Sequence, residues 1–72
     1  MNGEEFIRRV KTAGKTHDVP VHFETHHGKG SHGRLYYGKR FTTVKDRKKE
    51  LGKGLLAAML RQLGLAREDL HL

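Results

Sequence analysis

The sequence contains no cysteine and no tryptophan, and its single proline is Pro20. Without cysteine, the chain can form neither disulfide bonds nor thiolate-ligated zinc or iron–sulfur sites. It also lacks an apolar run near the roughly 18–20 residues that a membrane-spanning helix needs, and it lacks the apolar segment of a signal peptide. We therefore expect a cytoplasmic protein with no membrane partner. A chain of 72 residues has room for one domain, 1–72, with one small core.

Positive charge is what the sequence has in excess. Fifteen lysines and arginines against eight aspartates and glutamates give a formal net charge of +7. Residues 15–49 hold nine basic and three acidic residues, a net charge of +6, together with five of the six histidines. Residues 50–72 are neutral on balance. This concentration of charge indicates a polyanionic partner, with nucleic acid as the first candidate.

Hydrophobic spacing predicts the order helix–strand–strand–strand–helix. Apolar residues at helical spacing predict a first helix over 3–13, capped by Asn2 and stopped by Gly14. A period of two predicts an edge strand near Pro20, and two more strands joined by a tight turn at Gly38-Lys39. Leucines at helical spacing predict a second helix that ends at Gly64. The predicted strands are 19–24, 31–37 and 41–45, and the tail 66–72 either forms one short turn or frays.

Both helices must bury an apolar stripe, and a three-stranded meander has one face to offer them. The expected fold class is therefore α+β, in the α-β-β-β-α order of double-stranded-RNA-binding domains. A three-stranded antiparallel sheet would carry both helices on one face. The opposite face would remain uncovered.

The uncovered face is predicted to carry reactive and basic side chains. A two-residue turn fixes which residues of the second and third strands oppose each other. One face then carries a histidine, an arginine, a lysine and two aromatic rings, whereas the other can meet the helices. The predicted pairs on the uncovered face are Tyr36 with Phe41, Arg34 with Thr43, and His32 with Lys45.

A histidine beside an arginine and a lysine suits the cleavage of RNA phosphodiester bonds. An imidazole that titrates near pH ~6.5 can take a proton from the 2′-hydroxyl or give one to the leaving oxygen. Nearby cations stabilise charge that builds on the phosphoryl oxygens, and no metal or other cofactor is required. The alternative is that His32 is an ordinary surface residue. Ser31 is a poor nucleophile candidate because no carboxylate lies nearby in the sequence to orient a Ser–His pair.

The other histidines and lysines give weaker evidence for a functional site. His26 and His27 are adjacent and would point to opposite faces of a strand, so we predict no metal site. The basic run 45–49 is either a solvated loop or a phosphate-contacting segment beside the open face.

Three segments together resemble the HicA family, the toxins of HicA–HicB toxin–antitoxin systems. They are MNGEEFIRRVKTAG (1–14), GKGSHGRLYYGKR (28–40) and KELGKGLLAAMLRQLGL (49–65). The most specific motif is Gly30-Ser31-His32, which opens the second predicted strand. The resemblance covers about two-thirds of the chain, in the family's order.

The resemblance implies a small mRNA interferase whose catalytic residue is His32, and together with the chemistry above it leads to the hypothesis of a metal-independent ribonuclease. It also implies a HicB-type antitoxin that covers the active surface, with any DNA contact made only through the antitoxin complex. The hypothesis of a ribonuclease that acts on the open sheet face predicts six RNA-binding residues: Lys29, Gly30, Ser31, Arg34, Tyr36 and Lys45. Lys29, Arg34 and Lys45 would engage phosphate, and Tyr36 would stack on a base. Two alternatives remain open: a non-catalytic RNA-binding module, and a basic subunit that mainly binds an acidic protein.

Overall fold

The computed structural model describes residues 1–25 and 32–72. The elements follow the predicted order of helix, three strands and helix, which confirms the α+β fold resembling a double-stranded-RNA-binding domain. The strands pair antiparallel in the order β1-β2-β3. The elements are α1 (Gly3–His17), β1 (Val21–Thr25), β2 (Gly33–Tyr37), β3 (Arg40–Val44), α2 (Lys53–Leu63) and a C-terminal 3₁₀ turn (Arg67–Leu70).

One face of the sheet, the inner face, packs against both helices. Helix α1 contacts β1 and β2, and α2 contacts β3. Leu35 and Val44 are core residues on the inner face of the sheet, and Phe6 and Val10 of α1 belong to the same buried cluster. Thr42 is also buried on this face, and its hydroxyl donates a hydrogen bond to the side-chain oxygen of Gln62. The remaining buried apolar side chains are Ile7, Ala13, Leu56, Met59, Leu60, Leu63, Leu65 and Leu70.

Helix α1 is one turn longer than its sequence predicts. Asn2 caps its start as expected, because its Oδ1 accepts a hydrogen bond of 2.9 Å from the backbone N–H of Glu5. The predicted stop at Gly14 is wrong: the helix runs to His17. Asp18 then takes the left-handed conformation, and the N–H of Val19 bonds to the carbonyl of Gly14 at 2.8 Å. Gly14 is buried under the sheet, so its small size serves packing rather than capping.

The strands differ from their predicted bounds by small shifts at the ends. β1 is an edge strand that begins just after Pro20, since proline has no N–H to donate to a ladder. Gly38 has φ +62°, which fits the first position of a type II′ hairpin turn. This turn sets the register between β2 and β3, and Tyr36 lies opposite Phe41 as predicted.

The C-terminal segment belongs to the packed structure. Gly64 ends α2 with φ +73°, and the N–H of Leu65 bonds back to the carbonyl of Leu60 at 2.9 Å. Of the two expected outcomes for the tail, the short turn is the one that forms, and it buries Leu70. Nη1 of Arg9 donates to the carbonyl of Leu70 at 2.8 Å, which ties the turn to α1. No helix in the described part of the chain is long and apolar enough to cross a membrane.

Candidate functional site

The face of the sheet opposite the helices, here called the outer face, presents two rows of side chains. Strand alternation sends every second residue to this face, and the observed register aligns these residues across all three strands. The rows consist of His22, Tyr36 and Phe41, and of Glu24, Arg34 and Thr43.

The first row is a series of rings in mutual contact. The centres of the Tyr36 and Phe41 rings lie 5.6 Å apart, with planes tilted by 46°. On its other side, Tyr36 stacks with His22 at 6.3 Å between centres and 22° between planes. Tyr36 is half-buried by these two neighbours, whereas Phe41 keeps 43% of its surface exposed. A row of side-chain rings therefore crosses the sheet where no described helix covers it.

Arg34 adds charge to this ring surface. Its guanidinium carbon lies 4.8 Å from the centre of the Phe41 ring, within the range of a cation–π contact. The side chain is exposed, so its N–H groups can reach a ligand. Glu24 is the register partner of Arg34 on β1 and is the acidic member of this face. Arg34 thus meets the prediction of a cation on the open face, next to an aromatic ring.

His32 is exposed and lies immediately before β2. The ladder between β2 and β3 ends at the pair Gly33 and Val44, and Lys45 follows on the other strand. His32 and Lys45 line the same cleft, which has a volume of about 630 Å³. The predicted cross-strand pair of His32 and Lys45 is therefore not part of the ladder, but both residues line one cleft at the end of the sheet.

The cleft has an apolar wall and a charged rim. Leu51, Leu55 and Met59 line it from the side of α2, and Leu55 is 55% exposed. Lys45 and Lys49 lie on its rim. The acidic residues Asp46 and Glu50 also line it, and Glu50 forms an ion pair with the N-terminal amino group of Met1. A ligand in this cleft would meet apolar groups and charged groups of both signs.

Three predicted RNA-binding residues, Lys29, Gly30 and Ser31, lie outside the described residues, as do His26 and His27. Among residues 1–25 and 32–72, no group of three or more His, Asp or Glu side chains is placed to hold a metal ion.

One residue of the basic run 45–49 has a different position from its neighbours. Arg47 is half-buried, and its guanidinium carbon lies 5.3 Å from the centre of the Phe23 ring. Phe23 belongs to the inner-face set of β1, since its register partner is the buried Leu35. Arg47 therefore covers the edge of the core, while Lys45 and Lys49 face the cleft.

Sequence reasoning missed several residues of this site. His22 alternates with Phe23, which already placed it on the outer face, but its contact with Tyr36 depends on the register between β1 and β2. Leu55 and Met59 follow a core pattern in the sequence, and no local signal shows that they also border a cleft with His32.

The fold and the outer face define a class: a small basic α+β domain of the double-stranded-RNA-binding type, with an aromatic sheet surface and an exposed histidine beside it. A sequence profile described as the HicA toxin of bacterial toxin–antitoxin systems matches residues 3–65. The chain belongs to this HicA toxin family, and it is the toxin component of a toxin–antitoxin pair. No curated protein and no solved structure gave a significant match.

Proposed function

We propose that this toxin is a metal-independent endoribonuclease that cleaves mRNA, with His32 as its catalytic residue. The observation that carries the proposal is the exposed His32 in a cleft that also contains Lys45 and Lys49, at the border of the outer face. Membership of the HicA family supports a toxin whose target lies inside the cell that makes it.

The proposed chemistry needs one proton transfer at His32 and cationic groups near the phosphate. The 2′-oxygen attacks phosphorus as its proton leaves, and the bond from phosphorus to the 5′-oxygen breaks. An imidazole can accept the 2′-hydroxyl proton as a general base or protonate the departing 5′-oxygen as a general acid. Lys45 lines the same cleft, and its ammonium group would offset negative charge on the phosphoryl oxygens.

The test compares RNA cleavage by the wild type and by His32→Ala, with and without EDTA. We expect the wild type to cleave in EDTA and the variant to lose at least a hundredfold in rate, the usual scale for a general acid or base. His71→Asn is the matched control: it removes another exposed imidazole, and asparagine tolerates the left-handed backbone at this position. Equal cleavage by wild type and His32→Ala would refute the role of His32, and loss of wild-type cleavage in EDTA would refute metal independence.

The proposed partner is a HicB-type antitoxin that covers the outer face and the cleft. A toxin whose segment 15–49 has a net charge of +6 should attract an acidic partner over distance. We expect the association rate to fall steeply between low and physiological salt, as stopped-flow mixing can measure. A rate that is independent of salt would contradict electrostatic steering.

A second candidate function, RNA binding without cleavage, is favoured by the ring surface of His22, Tyr36 and Phe41. It predicts salt-dependent binding after which the RNA is recovered intact. Gel analysis of the RNA after incubation with wild-type protein separates the two functions.

A further inference from the structure

The exposed rings of the outer face have no role in the core. Phe41 is one of three large apolar side chains of the described residues that remain substantially exposed, and it lies on a sheet surface rather than at a chain end. Its neighbours Tyr36 and Arg34 contact it from the adjacent strand. Rings from all three strands thus form one continuous strip with a cation beside it.

We propose that this strip is a stacking platform for unpaired nucleobases, so that the toxin engages single-stranded RNA. This inference rests on the proposed function in taking RNA as the ligand. Tyr36 and Phe41 are the principal stacking residues, and His22 extends the platform onto β1. Aromatic residues on an open sheet are a general means of binding bases, because every base has a π-face.

The same chemistry disfavours a duplex as the ligand of this face. Bases in an RNA helix are stacked on one another and show only their edges, so a side-chain ring cannot lie against them without unstacking. Duplex recognition relies on the shape of the helix and on contacts to phosphate and 2′-hydroxyl groups. The fold type alone would suggest a double-stranded ligand, whereas the exposed rings of the outer face favour a single strand.

Arg34 supplies the charge that a nucleic-acid ligand requires. The Phe41 ring supports its guanidinium at 4.8 Å, and a planar guanidinium can stack on a base or bind a phosphate. Lys45 follows at the end of β3, toward the cleft. Glu24 is the acidic residue on this face and is the direct cross-strand partner of Arg34, so its carboxylate offsets part of the positive charge there. Arg34 beside the exposed Phe41 ring matches an anionic ligand that also carries flat aromatic groups.

The platform lies beside the proposed reaction centre and not at it. Tyr36 and His32 are four residues apart, about 13 Å along an extended strand. A strand of RNA on the platform would therefore place bases away from the bond that His32 acts on. Removing a ring should weaken binding, and hence raise KM, with little change in kcat.

The experiment measures RNA affinity in the His32→Ala background, where the ligand stays intact. The probes are a short unstructured oligoribonucleotide and the same oligonucleotide annealed to its complement. We expect tighter binding to the single strand. Phe41→Ala and Tyr36→Ala should each weaken single-strand binding by roughly 5- to 150-fold, the loss of one base–aromatic contact. Phe41→Tyr and Tyr36→Phe keep a ring and should retain affinity for the single strand. Leu72→Ala truncates an exposed apolar side chain outside the platform and should leave this affinity unchanged.

Three outcomes would overturn the platform: equal affinity for single strand and duplex, unchanged affinity in both alanine variants, or a loss of antitoxin binding in Phe41→Ala with RNA affinity intact. The last would assign the rings to the protein partner.

The two proposals can be tested independently of each other. Ring-dependent binding without any cleavage by the wild type would reject the proposed function and keep the platform. Cleavage by the wild type with an unchanged KM in Phe41→Ala would reject the platform and keep the proposed function.

Discussion

Gly14 of α1 lies so close to β1 that a Cβ atom added to it would stand 2.4 Å from Cγ2 of Val21. The backbone oxygen of Val19 would be 2.7 Å from the same atom. Gly14→Ala should therefore force α1 away from the sheet and lower the free energy of unfolding by about 1–3 kcal/mol, as overpacking of a core usually does. Urea denaturation monitored by circular dichroism measures the change.

Gly54 provides the matched control for that substitution. It lies in the first turn of α2, and nothing would come within 4 Å of an added Cβ. Gly54→Ala should stabilise the protein by about 0.5–1 kcal/mol, because alanine loses less backbone entropy in a helix. The two glycine variants should thus shift the unfolding midpoint in opposite directions, and a stabilising Gly14→Ala would contradict the packing described.

The C-terminal 3₁₀ turn contributes to stability through Leu70, whose side chain is 1% exposed. Leu70→Ala should cost about 2–5 kcal/mol, the usual range for truncating a buried leucine. Leu72 is 40% exposed, and Leu72→Ala should stay within about 0.5 kcal/mol of the wild type. If both variants unfold at the wild-type midpoint, the turn is not part of the cooperative core.

The ion pairs of Glu5 in α1 make the stability of the protein depend on pH in the acid range. Hydrogen bonds from Arg9 and Arg8 lower the pKa of Glu5 below its ordinary value of 4.5. A carboxyl whose pKa is lower in the folded state stabilises the fold above its unfolded pKa, and this contribution is lost as pH falls through the folded pKa. Glu5→Gln should therefore show a smaller decrease in the free energy of unfolding than the wild type as pH falls below about 4.5. Glu4→Gln controls for the removal of one negative charge from the same helical turn. If the free energy of unfolding of Glu5→Gln and of the wild type falls identically at acid pH, the ion pairs of Glu5 with Arg8 and Arg9 do not contribute to stability.

Lys45 should contribute one phosphate contact to RNA binding. In that case Lys45→Gln reduces the slope of log affinity against log salt by about 0.7, the value for one phosphate of a single strand. Fluorescence anisotropy at several salt concentrations gives the slope. Lys11→Gln removes the same charge from an exposed position on α1, and its slope should match the wild type. A similar reduction in both variants would indicate a general effect of net charge and no specific contact at Lys45.

Local signals in the sequence were sufficient for much of the fold. Asn2 caps α1, Gly64 ends α2, and Gly38 provides the turn that sets Tyr36 opposite Phe41, all as predicted. Each of these features depends on residues within a few positions of one another, where backbone conformation and hydrogen bonding are decided locally. Strand alternation and that one turn also placed Arg34 on the open face, whereas His32 and Lys45 lie beyond the last pair of the ladder and line a cleft together with α2.

Long-range contacts decided the rest. Gly14 carries the local signature of a helix end, yet α1 continues because Gly14 packs against β1. Arg47 resembles its lysine neighbours in sequence, and only the position of Phe23 turns it toward the core. The cleft beside His32 required α2 to lie along β3, which places Leu55 and Met59 near a histidine more than twenty residues away in sequence.

The sequence by itself thus determined the order of elements, the hairpin register and the concentration of charge in residues 15–49, because periodicity, turn chemistry and charge are properties of neighbouring residues. Tertiary structure alone decided which side chains of the outer face touch. His22 joins Tyr36 and Phe41 only when β1 pairs with β2, and His32 shares its cleft with α2 only when α2 has packed against β3. Burial of the apolar stripes drives that packing, and it leaves the ring-bearing face with Arg34 open to solvent.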